Sequence, residues 1–296
     1  MEFVLHMGEI LWHTLLDTAK IVPFLFLTYL FMEFLEHKSG NAAENWLRRS
    51  GKIGPLIGGA FGILPQCGFS AAASGLYSGR IITVGTLLAV YLSTSDEMLP
   101  ILISEGVSVW FILKILAAKL VVGISAGFVV DAILRLLRKK KQVEQVPQIE
   151  KFCEREHCRC GEHFVLSALR HTLKITAFIL LFSFLLNLVI HSVGEDKLAA
   201  LILNRPVLSN LLAAVVGLIP NCASSIVLTE LYLGGVLSVG AMLSGLLVNA
   251  GVALALLFRN NRPVWDSLRI VLILFGIGVG VGILVDLTPL AGLLGI

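Results

Sequence analysis

GILPQCGFSAAASGLYSGRIITVGTLLAVYL (62–92) lies over GLIPNCASSIVLTELYLGGVLSVGAMLSGLL (217–247) without a gap when the chain is shifted by 155 positions. Eleven of the 31 pairs are identical, among them Pro65/Pro220, Cys67/Cys222, Ser70/Ser225 and Gly85/Gly240. The register runs on to Trp110/Trp265, Lys114/Arg269, Gly123/Gly278, Gly127/Gly282 and Asp131/Asp286. At an offset of 154 the first segments match as well, through Thr18/Thr172, Lys20/Lys174, Phe24/Phe178 and His37/His191. A two-fold repeat in an apolar chain, with a polar Pro-Gln-Cys or Pro-Asn-Cys break in each copy, is the pattern of a transporter built from related halves.

Composition places those halves in a membrane. The 296 residues are 56% hydrophobic and only 15% charged, against about a quarter charged in soluble domains. Apolar segments cover 11–36, 53–79, 81–104, 107–134, 164–190, 207–233, 235–258 and 266–287, and several exceed the length of a spanning helix. The net charge of +3 sits in short loops between apolar spans, which argues for membrane orientation and against nucleic-acid binding. The start, MEFVLHMGEILWH, has no Lys or Arg, so no signal peptide is expected there. Residues 1–134 and 164–296 form the two membrane repeats, and 135–163 is a polar linker.

The positive-inside rule orients the repeats. With RLLRKKK (135–141) in the cytoplasm, eight full crossings would leave Lys38, Arg48, Arg49, Lys52, Arg259, Arg262 and Arg269 outside. If instead 53–79 and 207–233 enter and leave on one side, only Lys197 and Arg205 lie outside, and 18 of the 23 Lys and Arg flank the cytoplasm. Lys20, Lys114 and Lys119 then lie within helices. The expected fold is therefore an all-α membrane protein of two inverted repeats, each with three spanning helices and one re-entrant helical hairpin, both termini outside. Each hairpin arm has about 12 residues, or roughly 18 Å of helix, enough to reach the midplane of a 30 Å core. Pro65 and Pro220 break the helix at the tips, and such irregular backbone is tolerated at depth only inside protein or beside a wet cavity.

Four groups could carry chemistry. The tips offer Gln66, Cys67 and Ser70 in one repeat and Asn221, Cys222 and Ser225 in the other. Helix starts attract anions and thiolates attract soft metals or metalloids. The two Cys could equally be small packing residues. Ser93-Thr94-Ser95-Asp96-Glu97 lies halfway along 81–104, where carboxyls are costly and could bind a cation or carry a coupling proton. An external loop is the alternative for this stretch. The second copy has Val248-Asn249-Ala250-Gly251-Val252 there, so the acids belong to one half only. Glu33, aligned with Asn187, and Glu230 are secondary polar candidates. Lys114, Lys119 and Asp131 read as snorkelling or paired residues, and the Gly123/Gly127 and Gly278/Gly282 pairs as helix packing. Finally, the linker holds Cys153, His157, Cys158, Cys160 and His163 within eleven residues, a set able to surround a soft, zinc-like ion; a charged linker without metal is the alternative.

The motifs GILPQCG (62–68), STSDEMLPILIS (93–104) and GLIPNCASS (217–225), with the Cys/His linker between them, resemble a family of bacterial inner-membrane proteins named for ten-helix heavy-metal export and variously labelled arsenic-efflux-like or manganese transporters. The resemblance covers essentially the whole chain. Its count of ten helices fits six crossings plus four hairpin arms. The linker here is shorter in His than that family leads one to expect, which weighs against a borderline metal and for a soft one.

The resulting expectation is a secondary transporter, not an enzyme, that moves a heavy-metal ion or metalloid outward by alternating access around the tips. Its partners are the bilayer and its cargo; proton coupling and a homodimer are compatible with the sequence. No tightly bound cofactor is expected. The absence of a Walker A motif argues against direct use of ATP. Alternatives are an anion or sulfur-compound transporter, a thiol-dependent membrane enzyme, and a metal sensor read from the linker.

Overall fold

A computed structural model describes residues 15–16, 18–19, 22–23, 25–27, 30, 53–64, 67–95, 98–138, 165, 169–170, 172–181, 184, 206–221 and 223–289. Helices, and no strands, occur among these residues. In the first half they are α1 (Ile53–Gly62), α2 (Cys67–Ser78), α3 (Val84–Ser93), α4 (Met98–Ser104) and α5 (Val109–Arg138). In the second they are α6 (Thr172–Leu181), α7 (Pro206–Gly217), α8 (Ala223–Leu233), α9 (Val239–Val248), α10 (Ala253–Asn260) and α11 (Val264–Leu287).

Two kinds of helix emerge. α5 and α11 are long, continuous and apolar enough to cross a membrane, and only 22% and 33% of their spans are buried within the protein. Their outward faces carry Val121, Leu136, Leu272 and Leu284, which would be costly in water and is favourable against lipid. By contrast, 94% of the Val239–Asn260 span is buried, and it divides into α9 and α10 around Asn249–Val252. The matching Val84–Ser104 span likewise leaves the helix at Thr94 and Ser95 and resumes at Met98. The sequence suggests one helix through each of these stretches; the structure breaks both. The interior of the bundle is thus made of the broken helices, and the continuous ones surround it.

Equivalent contacts hold the halves. Thr83 caps α3 and Ser238 caps α9 through their hydroxyls. Asp131 accepts from the Thr83 hydroxyl at 2.6 Å and the Gly85 amide at 2.8 Å. Asp286 accepts from the Ser238 hydroxyl at 2.8 Å and the Gly240 amide at 3.0 Å. A carboxylate on these otherwise orphaned N-terminal donors also complements the helix dipole. Asp131 is therefore a clamp between helices and does not snorkel. Gly85 and Gly240 let the pairs close: a Cβ at either would overlap the carbonyl oxygen of Gly127 or Gly282.

Helix directions follow from the same contacts. α1 runs alongside α3, with Gly54 over Thr86, Gly58 against Thr86 and Val90, and Gly62 against Ser93. It therefore starts at the end of the bundle where α2 finishes, and α1 and α2 fold back on each other as a hairpin. α5 is antiparallel to α3, because Gly127 meets Gly85 and Gly123 meets Ala89. Asp266, in the first turn of α11, meets Arg80 in a 3.0 Å ion pair and the Tyr77 hydroxyl at 2.7 Å. α11 thus begins at the end where α5 approaches Asp131. At the opposite end Phe111, near the start of α5, stacks on Tyr232 at the end of α8, ring centroids 5.5 Å apart.

Candidate functional site

The structure joins two of the groups that the sequence separates. The Ser95 hydroxyl, in the break after α3, donates to the carbonyl of Ile63, in the tip between α1 and α2. The first hairpin tip and the Ser93–Ser95 end of the polar stretch are therefore neighbours. Breaks cause this: a chain that leaves the helix exposes carbonyls and amides that must find new partners when buried, and the neighbouring break supplies them.

Cys67 opens α2 and is buried. Ser70, one turn on, donates to the Cys67 carbonyl at 2.9 Å. In the second tip Asn221 is buried, and its side-chain oxygen accepts from the Ala223 amide at 3.4 Å, at the start of α8. Ser224 donates to the Asn221 carbonyl at 2.7 Å, and Ser225 is buried behind it. Ser93 and Thr94 are buried too, and both donate back to carbonyls of α3. The hydroxyls of Ser70, Ser224, Ser93 and Thr94 have spent their protons on backbone, so towards a cargo they can offer oxygen lone pairs. That suits a cation, or a neutral acid with O–H groups.

Three contacts carry the first half into the second at this depth. The Ser74 hydroxyl donates to the carbonyl of Ala253, the first residue of α10, at 2.9 Å, and lies 2.7 Å from the Tyr91 hydroxyl. Tyr91 reaches the same carbonyl at 3.4 Å. Lys119 is 1% exposed, and its ammonium donates to the Leu246 carbonyl at 2.7 Å. This overturns the snorkelling option for Lys119, since no part of it reaches the surface. Across the break after α9, Asn249 accepts from the Gly251 amide at 2.9 Å with Gly251 in the left-handed region, which only a glycine adopts cheaply.

Of the remaining predicted site residues, Glu230 alone is among those described. Glu230 stands on the exposed side of α8, about two turns beyond the tip. Gln66, Cys222, Asp96, Glu97, Glu33 and Asn187 lie outside the described residues, as do Cys153, His157, Cys158, Cys160 and His163. Among the described residues no three His, Cys, Asp or Glu gather as a metal site. Sequence reasoning passed over Ser74 and Tyr91, and held Ser95 only as a member of the Ser93–Glu97 run. Ser74 had a signal, since it aligns with Thr229, and both hydroxyls also donate back along their own helices, Ser74 to the Ser70 carbonyl at 3.0 Å and Thr229 to the Ser225 carbonyl at 2.7 Å.

A family model described as "Putative, 10TM heavy-metal exporter" matches residues 8–159 and 142–259. No curated protein and no solved structure gives a match.

Proposed function

The chain belongs to the ten-transmembrane heavy-metal exporter family, and from that premise we propose that it is a secondary transporter that moves a heavy-metal ion or metalloid outward by alternating access around its two hairpin tips. The observation that carries this reading is the meeting of the first tip with the broken helix beside it, through Ser95 and Ile63. A buried cluster of backbone ends, hydroxyls and a thiol at mid-depth is a poor way to stabilise a bundle and a good way to replace an ion's hydration shell. Asp96 or Glu97 supplies charge or carries a proton, and Cys67, Cys222, Gln66, Asn221, Ser70 and Ser225 contact the cargo.

The alternation is one inverted repeat rocking against the other. Two contacts support that topology. With the linker on one face, eight full crossings would place Arg80 and Asp266 on opposite sides of the bilayer, and likewise Phe111 and Tyr232. Each pair is in contact. A second hairpin that enters and leaves on the same side puts both pairs together.

Uptake into everted vesicles, across a panel of metals and metalloids, tests the function. Wild type accumulates at least one of them, and Cys67→Ala, Cys222→Ala and Asp96→Asn each lower its transport. Three variants that move every substrate at the wild-type rate would remove the site assignment.

A further inference from the structure

A cavity of about 560 Å³ runs from Pro220, in the second hairpin tip, to Arg259 and Arg262 at the Arg80/Asp266 end of the bundle. Among the described residues its walls are otherwise apolar, with Phe178, Leu254 and Phe258 among them, and no carboxylate lines it. Arg259 lies over the Phe178 ring, 4.4 Å from the centroid, with one N–H directed at the Lys174 carbonyl 3.5 Å away. A guanidinium has five N–H donors, so most of its fork is left over. Arg262 is exposed and forms no ion pair among the described residues. The nearest carboxylate in sequence, Asp266, is engaged by Tyr77, Arg80 and Asn261.

The repeat supplies an internal control. Shifted by 155 positions, Arg259 and Arg262 fall on Ser104 and Val107, and Asn260 falls on Glu105. The cationic mouth therefore belongs to one end of the molecule, while the related loop at the other end carries a carboxylate. Two guanidinium groups beside apolar walls attract an anion and repel a bare divalent cation, and they do so more strongly than in water.

We propose that this cavity is an anion-selective vestibule, and that the cargo approaches the tips as an anion: a metalloid oxyanion or a metal held by thiolate ligands. The proposal rests on the transporter reading for its purpose and not for its binding chemistry. The asymmetry of charge then favours capture at the arginine end and release at the Glu105 end.

The test uses the full-length protein, in detergent for equilibrium binding and in liposomes for transport. Its probes are arsenate, the bis-glutathione complex of cadmium, and free Mn2+. At least one anionic probe binds, and arsenate against the cadmium complex tells the oxyanion from the thiolate source. Replacing both arginines by Gln weakens that binding about tenfold or more, as loss of charged hydrogen-bond donors does. Arg259→Lys with Arg262→Lys restores most of it. Arg262→Gln alone, at an exposed position, repeats the direction without disturbing the Phe178 contact. The proposal is overturned if neither anion binds, if the Gln pair leaves binding unchanged, or if Mn2+ is transported equally well by wild type and the Gln pair. Arginine-dependent anion binding with no probe crossing the membrane would uphold the vestibule and sink the transporter reading.

Discussion

The ammonium of Lys119, on α5 of the first half, donates a 2.7 Å hydrogen bond to the carbonyl of Leu246, in the last turn of α9 of the second half. Carbonyls in the last turn of a helix have no partner within it, and this one ends at a break in the bundle interior. Lys119→Met leaves that oxygen unsatisfied. The expected cost is about 1–3 kcal/mol, read as a lower melting temperature in detergent. Under the proposed rocking of one repeat against the other, transport falls further than the stability change explains, because the bond crosses between the halves.

The two aspartate clamps are equivalent and far apart. Asp131→Ala and Asp286→Ala are each expected to cost about 1–3 kcal/mol, as loss of a cap and of a charged hydrogen bond does. The double variant should show the sum, since distant sites add. Thermal unfolding of the four proteins measures it, and strong non-additivity would mean the halves do not stand as separate packing units.

Glycine substitutions separate contact from composition. Gly85→Ala and Gly240→Ala press a methyl into a backbone carbonyl of the adjacent helix, with an expected loss of about 1–3 kcal/mol or more. Gly276→Ala and Gly280→Ala lie in α11 with nothing within 4 Å of the new carbon, and should be neutral or slightly stabilising. The yield of folded protein after detergent extraction tells them apart.

Labelling decides the topology. Cysteines placed at Arg80 and Arg262, in a background lacking the native thiols, should both react with an impermeant maleimide from the face that carries the linker. Cysteines at Ser108 and Leu233 should react only from the other face. Reaction of positions 80 and 262 from opposite faces would restore the eight-crossing arrangement.

Cys67 is 7% exposed at the start of α2. A membrane-permeant maleimide should modify it slowly, and more slowly still when a transported cargo is present. Cys67→Ala should keep the melting temperature within a few degrees while transport drops. A variant that transports normally makes the sulfur a packing atom.

Much of this architecture is legible in the residues. The 155-residue shift aligns Asp131 with Asp286, and the two hold equivalent pairs of donors on Thr83/Gly85 and Ser238/Gly240. The glycine pairs read as packing and do pack. What escaped was every bond whose partner is a backbone carbonyl far along the chain. Lys119 to Leu246 spans 127 positions and Ser74 to Ala253 spans 179, and a carbonyl is the same in every residue, so nothing in the letters marks the acceptor. The broken helices escaped for a related reason. LVNAGVALA (247–255) keeps the apolar count of a continuous span, while Asn249 and Gly251 there, and the Ser/Thr run in VYLSTSDEM (90–98), offer local hydrogen bonds that compete with the helix.

Trp110 and Trp265 open α5 and α11, both largely exposed, and Asp131 and Asp286 close the same stretch 21 residues later. At the helical rise each interval is about 32 Å, the thickness of a bilayer's hydrocarbon layer. Because the two helices start from opposite ends, the protein measures its membrane twice, once from each surface, against aromatic anchors. A much thinner bilayer forces both gauges to tilt together or the lipid around them to stretch. Lipid chain length is thus a mechanical load on the same helices to which the broken core is clamped.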